Sequence, residues 1–326
     1  MDLVNEIWSV NESGFESLAL KVFKYQFERV EVYCNFCLAL KRNPENVNTI
    51  DGIPFLPISF FKTQQVIAQG QTVQKVFESS STTGSIPSKH YVADVSVYEK
   101  SFLKGFELFY GKPEDYTILA LLPSYLERGN SSLVYMAEAL IKLSGKTESG
   151  FFLHEFEKLK DILEGLARQN TKTILLGVTF GLLDFAEQFK IDFPELIIME
   201  TGGMKGRREE LTRREVHEIL CPAFGVEKIH SEYGMTELLS QGYSQGDGLF
   251  NTVPWMKVLT RDLYDPLILL GTGQSGAINI IDLANINSCS FIATDDMGRV
   301  NADGSFTVMG RIDNAELRGC NLMVME

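Results

Sequence analysis

The chain has 326 residues, 44% hydrophobic and 22% charged, the balance of a globular protein with room for a well-buried core in one large domain or two ordinary ones. Its formal net charge is -13 and no Lys/Arg stripe stands out, which excludes nucleic acid and anionic membrane as expected partners. Met1-Asp2-Leu3-Val4-Asn5-Glu6 has neither the basic start nor the apolar run of a signal peptide, and no stretch approaches the ~20 apolar residues of a membrane span.

Five cysteines, an odd number, fit a reducing, cytoplasmic setting. Cys34 and Cys37 form a lone CxxC inside an apolar helical stretch, which reads as core packing rather than metal or redox chemistry.

The first fifty residues read as helical, with Phe15, Leu18, Val22 and Tyr25 at helical spacing and Asn43-Pro44 closing the region. Ile53 to Pro57 is too rich in proline for a helix and is expected to run extended into Phe60-Phe61-Lys62. From about residue 115 to 235 strands and helices alternate. Tyr116–Leu122, Thr173–Val178 and Leu196–Met199 are the expected strands. The expected helices run from Leu133 to Leu143 behind a Ser132 cap, along Phe156, Leu159, Leu163 and Leu166, and from Leu182 to Phe189. A further helix opens on the capping box Thr212-Arg213-Arg214-Glu215. Such alternation implies an α/β fold with a mostly parallel sheet flanked by helices. Beyond Trp255, short β runs at Leu267–Leu270, Ala277–Ile281 and Ser305–Met309 suggest a β-rich C-terminal subdomain.

Four segments could carry chemistry. Ser79-Ser80-Ser81-Thr82-Thr83-Gly84-Ser85 follows the β-prone Val76-Phe77 and could turn N–H groups and hydroxyls toward a phosphate. By composition it reads first as a flexible polar loop, and it is not a Walker loop, since Ser88 rather than Gly precedes Lys89. Gly271-Thr272-Gly273-Gln274-Ser275-Gly276 formally matches GxGxxG, but the alternating Ala277 to Ile281 that follows reads as a strand, so a hairpin turn is the expectation. Glu200-Thr201-Gly202-Gly203-Met204-Lys205 follows a strand, and its paired glycines allow close approach by a base or phosphate, or simply make a turn. Ser231-Glu232-Tyr233-Gly234-Met235-Thr236-Glu237 sets an aromatic, a hydroxyl and a carboxylate within five residues, suited to stacking a base, touching a phosphate and holding Mg²⁺. His90, His154, His217 and His230 show no metal spacing and read as structural or exposed, with His230 near the site.

The order of these segments, followed by Thr294-Asp295-Asp296-Met297-Gly298-Arg299 and Gly310-Arg311-Ile312-Asp313-Asn314, resembles the ordered motifs of the adenylate-forming superfamily, which includes the acyl-CoA synthetases. Within it the chain looks most like the LuxE-type acyl-protein synthetases of bacterial fatty acid reductase systems. That likeness is carried by Pro123-Ser124-Tyr125-Leu126-Glu127-Arg128-Gly129-Asn130-Ser131-Ser132, Gly177-Val178-Thr179-Phe180, Thr201 to Gly206 and Arg318-Gly319-Cys320-Asn321.

The resemblance implies ATP-dependent activation of a carboxylic, fatty, acid with ATP and Mg²⁺ as cofactors. Ser80, Thr82, Thr83 and Gly84 would cradle the phosphates, Gly202, Gly203, Tyr233 and Gly234 would line the adenine, and Asp296 with Arg311 would take the ribose. Thr236 would contact the α-phosphate, Glu237 would ligate Mg²⁺, and Cys320 would take the acyl group as a thioester for an acyl reductase or acyltransferase partner. The family's hydroxyl loop commonly has glycine where this chain has Ser81. The superfamily's C-terminal lid domain is not found before the chain stops at Glu326, so Lys205 or a partner is the expected source of its lysine charge. The expected division is an N-terminal helical region over residues 1–70, an α/β nucleotide-binding core over 71–250 and the β-rich subdomain, ending in a hinge-like segment, over 251–326. Two other readings stay open: a ligase of the phenylacetate-CoA ligase type that uses coenzyme A as acceptor, and a non-catalytic nucleotide-binding subunit.

Overall fold

A computed structural model describes residues 3–80, 86–123, 129–202 and 211–312. Helix α1 (Leu3–Ile7) leads into α2 (Glu12–Arg29), which Asn11 opens by accepting a hydrogen bond from Gly14 N. Phe15, Leu18, Val22 and Phe23 form its buried stripe, as their spacing requires. Helix α3 (Glu31–Ala39) carries the CxxC: Cys37 is a free, buried thiol pushed up to about 12 by burial, inert as core packing demands.

Strand β1 (Leu56–Pro57) is followed by one helical turn, α4 (Phe60–Thr63), where the sequence suggested continued extension. No proline lies between Pro57 and Thr63 to hold the chain extended, and the turn buries Phe61. Strands β2 (Lys75–Glu78) and β3 (Lys89–Val92) form a separate two-stranded hairpin, and the hydroxyl loop lies between them in the sequence. Helix α5 (Val95–Tyr110) starts on an Asp94 cap.

The α/β alternation runs through β4 (Thr117–Leu121), α6 (Ser132–Ser144), β5 (Gly150–Phe151), α7 (Phe156–Arg168), β6 (Thr173–Val178), α8 (Thr179–Gln188), β7 (Ile197–Thr201) and α9 (Arg213–Phe224). The α6 cap is Ser131, one residue before the expected Ser132, because it is the Ser131 hydroxyl that accepts from Val134 N. The Thr212–Glu215 capping box is present in full. Strands β4 and β6 are buried at every residue, the pattern of parallel strands covered on both faces.

After β8 (His230–Tyr233) the chain turns into antiparallel strands: β9 (Gly242–Ser244), β10 (Leu249–Thr252), β11 (Met256–Arg261), β12 (Ser275–Asp282), β13 (Phe291–Val300) and β14 (Phe306–Arg311). Leu267–Leu270, expected as a strand, forms a single bridge from Leu269 to Arg261. Asp262 collects the N–H groups of Tyr264 and Asp265 into a turn there, and Leu267 and Ile268 stay exposed with no sheet face to bury. Gly271–Gly276 is the expected turn, with Gly273 at φ +81 and Gly276 already inside β12.

Among the described residues one mixed sheet of twelve strands runs β11-β12-β13-β14-β10-β9-β8-β7-β6-β4-β5, with β1 joined to β13. It is parallel from β5 to β8 and antiparallel from β8 to β11. Two apolar clusters form the core: one includes Phe23, Tyr98, Phe102, Trp255 and Phe291, the other Leu119, Leu163, Phe185 and Phe224. Neighbours along β4 divide between them, Ile118 and Ala120 joining the first and Leu119 and Leu121 the second. No helix among the described residues is long and apolar enough to cross a membrane.

Candidate active site

The parallel half of the sheet ends at β8, and the segment leaving its C-terminal end is Gly234-Met235-Thr236-Glu237. Ligands of α/β sheets gather at such carboxyl edges, where the connection pattern changes. A Cβ at Gly234 would come within 2.3 Å of Glu232 Oε1, so a larger residue there would have to displace the Glu232 carboxylate.

One group of contacts fixes Tyr233. Its hydroxyl donates to Asp296 Oδ2 at 2.8 Å, and its ring meets Phe250 and Phe306 edge-on at 6.0 and 5.6 Å. Burial first, and then the Asp296 charge, pushes the phenol well above its usual range, so it stays a donor. Asp296 is raised by burial, against the lowering pull of the Tyr233 hydrogen bond and the Arg311 charge. Arg311, paired with Asp296 across β13 and β14, brings Nε to 3.7 Å from Asp296 Oδ1 while its side chain stays 88% exposed.

A second group fixes Thr236 and Glu237. His90 on β3 sets Nδ1 2.9 Å from Thr236 O and Nε2 2.9 Å from Asn285 Oδ1, and Asn285 Nδ2 donates to Glu237 O at 2.7 Å. Burial pushes His90 down to about 4, so the ring is neutral at pH 7 and its single N–H serves one oxygen at a time. The Glu237 carboxyl is buried and raised by desolvation, which a hydrogen bond from Ser88 partly offsets. Asp282 anchors the next turn by accepting from Leu239 N, Ser240 N, Ser240 Oγ and Ala284 N.

A third group lies at the end of β7. Gly202 takes φ +62, and Thr179 Oγ1 sits 2.7 Å from both Gly202 O and Glu200 Oε1. Ser231 donates to Glu200 Oε2 at 3.3 Å, tying β7 to β8. Behind this edge, buried Glu232 accepts from Thr201 and is raised by burial to about 7.

The structure thus links Tyr233, Asp296 and Arg311 directly, and ties Thr236 and Glu237 to the hairpin that carries the hydroxyl loop. Ser80 is exposed at the mouth of that hairpin. Thr82, Thr83, Gly84, Gly203, Lys205 and Cys320 lie outside the described residues.

Sequence reasoning missed several supports. His90, read only as structural or exposed, touches the motif itself, whereas His230 pairs with Tyr110 at 3.2 Å. Arg261 is buried and donates to Ile278 O, Asn279 Oδ1 and Thr294 O, bracing the strand that carries Asp296. The alternation of β3 could have flagged His90 as inward-facing, but its partners lie far along the chain.

Comparison with known proteins places this geometry in context. The sequence profile of the family described as "Acyl-protein synthetase, LuxE" matches residues 7–326. Two relatives named long-chain-fatty-acid–luciferin-component ligase are similar at 25% identity. The one from Aliivibrio fischeri aligns over 90% of this chain and 81% of its own, and the one from Vibrio harveyi over 98% and 90%. Among solved structures, an open conformation of 2-hydroxyisobutyryl-CoA ligase in complex with 2-HIB-AMP and CoA is similar in fold, with a TM-score of 0.65 at 11% identity over 93% of this chain and 76% of that one. ATP-bound MatB from Rhodopseudomonas palustris aligns with a TM-score of 0.54 at 16% identity over 75% of this chain, which spans about half (49%) of MatB.

Proposed function

The chain belongs to the LuxE acyl-protein synthetase family and is a ligase, and we propose that it activates a fatty acid with ATP as an acyl-adenylate and then takes the acyl group onto Cys320. The observation that carries this reading is the convergence on the carboxyl edge of β7 and β8. Gly202, the Tyr233–Asp296–Arg311 group and the Thr236–Glu237 segment come from separate stretches of chain, and the hydroxyl-loop hairpin is bound to the last of them.

In the first step a carboxylate oxygen of the acid attacks the α-phosphorus of ATP. The new O–P bond forms as the bond to the β-phosphate bridging oxygen breaks, and pyrophosphate leaves. The nucleophile is already ionised, so no general base is required. The Thr236 hydroxyl and the hydroxyl loop donate hydrogen bonds to the phosphate oxygens where charge accumulates. Asp296, with one oxygen held by Tyr233, accepts from the ribose hydroxyls, and Arg311 steadies it. Gly202 and Gly203 leave room for the base beside Tyr233 and Gly234.

Glu237 fits a Mg²⁺ site. It is a single buried carboxylate, and among the described residues no group of three or more His, Cys, Asp or Glu encloses a metal by itself. Mg²⁺ is commonly held by one or two carboxylates together with substrate phosphates. Glu237 would hold Mg²⁺ together with the substrate phosphates, and the ion would there supply neutralisation of phosphate charge. Lys205, outside the described residues, or a partner protein would supply the lysine charge.

In the second step the Cys320 thiolate attacks the acyl carbon, the C–S bond forms, the bond to the adenylate oxygen breaks and AMP leaves. The thioester then delivers the acyl group to an acyl reductase or acyltransferase in the cytoplasm. Hydroxamate trapping over acids of graded chain length tests the first step, with long-chain acids trapped best. Radiolabelled acid tests the second: label stays on the denatured protein and is absent from Cys320→Ser. Coenzyme A-dependent turnover that survives in Cys320→Ser would replace the thioester step.

A further inference from the structure

His90 is 1% exposed on β3, opposite Phe77 in the hairpin, with the Phe61 ring edge-on at 5.9 Å. A buried imidazole kept only to fill space would carry a desolvation cost that an apolar side chain avoids. Its two nitrogens instead face Thr236 O and Asn285 Oδ1, each at 2.9 Å, and Asn285 passes the contact to Glu237 O at 2.7 Å. Two residues earlier, just before β3 begins, Ser88 bonds the Glu237 carboxylate. The segment leaving the hydroxyl loop is therefore fastened to Thr236–Glu237 by the Ser88 hydroxyl and by the single imidazole N–H, which donates either to Thr236 O directly or to Asn285 Oδ1 and so through the Asn285 amide to Glu237 O. The cavity beside the ring is only about 10 Å³, room for one water and not for a substrate. His90 thus acts through its neighbours.

We propose that His90 is a positioning residue for acid activation: it fixes the peptide between Thr236 and Glu237, and with it the aim of the Thr236 hydroxyl and the Glu237 carboxylate, against β3. The inference rests on the adenylation reading given above. Asn285 is the second member of the same device, since it alone among the described residues joins the ring to Glu237 O.

The test compares wild type with His90→Phe, His90→Asn and Asn285→Ala, first by thermal unfolding and then by acid-dependent pyrophosphate exchange with Mg²⁺ titrated. Removing a partner that orients a ligating or reacting group typically costs ~10–100-fold. That loss is expected in His90→Phe as a lower kcat and a higher Mg²⁺ midpoint, with KM for the acid unchanged. His90→Asn, whose amide can donate where Nδ1 stands, recovers most of the loss, and Asn285→Ala shifts the Mg²⁺ midpoint in the same direction. Folded His90→Phe with the wild-type kcat and Mg²⁺ midpoint overturns the proposal. Should His90→Phe fail to fold, an unchanged Mg²⁺ midpoint in Asn285→Ala overturns it instead. If wild type shows no acid-dependent pyrophosphate exchange, the adenylation reading falls. Mg²⁺-dependent ATP binding by calorimetry then decides on His90: weaker binding in the variants supports the device, and equal binding removes it.

Discussion

The Tyr233 hydroxyl donates to Asp296 Oδ2 at 2.8 Å, closing the gap between the last parallel strand and the antiparallel half of the sheet. The two residues are 63 positions apart, and each belongs to a motif that is weak by itself. The bond leaves Asp296 Oδ1 facing Arg311 at 3.7 Å, so the carboxylate is oriented before any ligand arrives.

That orientation predicts unequal effects. Asp296→Ala removes the proposed acceptor for the ribose and should raise KM for ATP by roughly 10–100-fold, the worth of a hydrogen bond to a charged group. Tyr233→Phe keeps the ring and loosens only the carboxylate, so its KM for ATP should rise less. Steady-state kinetics on the two variants checks the order.

Asp282 is a structural anchor. Four donors converge on its buried carboxylate and hold the turn after Glu237. Asp282→Ala leaves those donors unpaired and should lower stability by about 3 kcal/mol, measured by urea unfolding.

Burial gives Glu232 a distinctive pH signature. Its carboxyl is raised from 4.5 to about 7. Between those values the unfolded chain has released the proton that the folded chain still holds, so this group's contribution to stability falls as pH rises, by at most about 3 kcal/mol. Asp282, raised to about 6, acts in the same direction. His90 and His230, both lowered to about 4, act in the opposite sense: their unfolded forms hold extra protons, so stability rises with pH between about 4 and 6.5. Glu232→Gln should therefore be more stable than wild type at pH 8, with the gap closing toward pH 4.5, as read by thermal unfolding across pH.

Gly298 marks a sheet position that admits no side chain. A Cβ there would lie 2.3 Å from Thr307 O and 2.7 Å from Ile278 Cδ1, beside the register shift between Met297 and Gly298. Gly298→Ala should destabilise by roughly 1–3 kcal/mol, the usual cost of forced overpacking. It should also weaken ATP binding through Asp296, two residues away.

The parts of this fold legible in the sequence were those with local causes. The run Thr173–Val178 emerges as β6, and Thr212-Arg213-Arg214-Glu215 opens α9 with both capping bonds in place. Leu267–Leu270 has strand-like composition but no neighbour to complete a ladder, a fact that lies outside the segment. The motif residues could be ordered along the chain, yet their supports could not be named. His90 and Arg261 do their work on carbonyls of remote segments, and backbone oxygens leave no mark in residue identity. Asp282 likewise serves donors more than forty positions upstream, and nothing local distinguishes it from a surface aspartate.

In the proposed reaction this chain joins an acid to AMP before any thiol is involved. Acid-dependent exchange of radiolabelled pyrophosphate into ATP, measured on the purified protein with long-chain fatty acids and Mg²⁺, tests it most directly. Label entering ATP only when the fatty acid is present is the predicted result. Bound ATP with no exchange for acids of any chain length would contradict it.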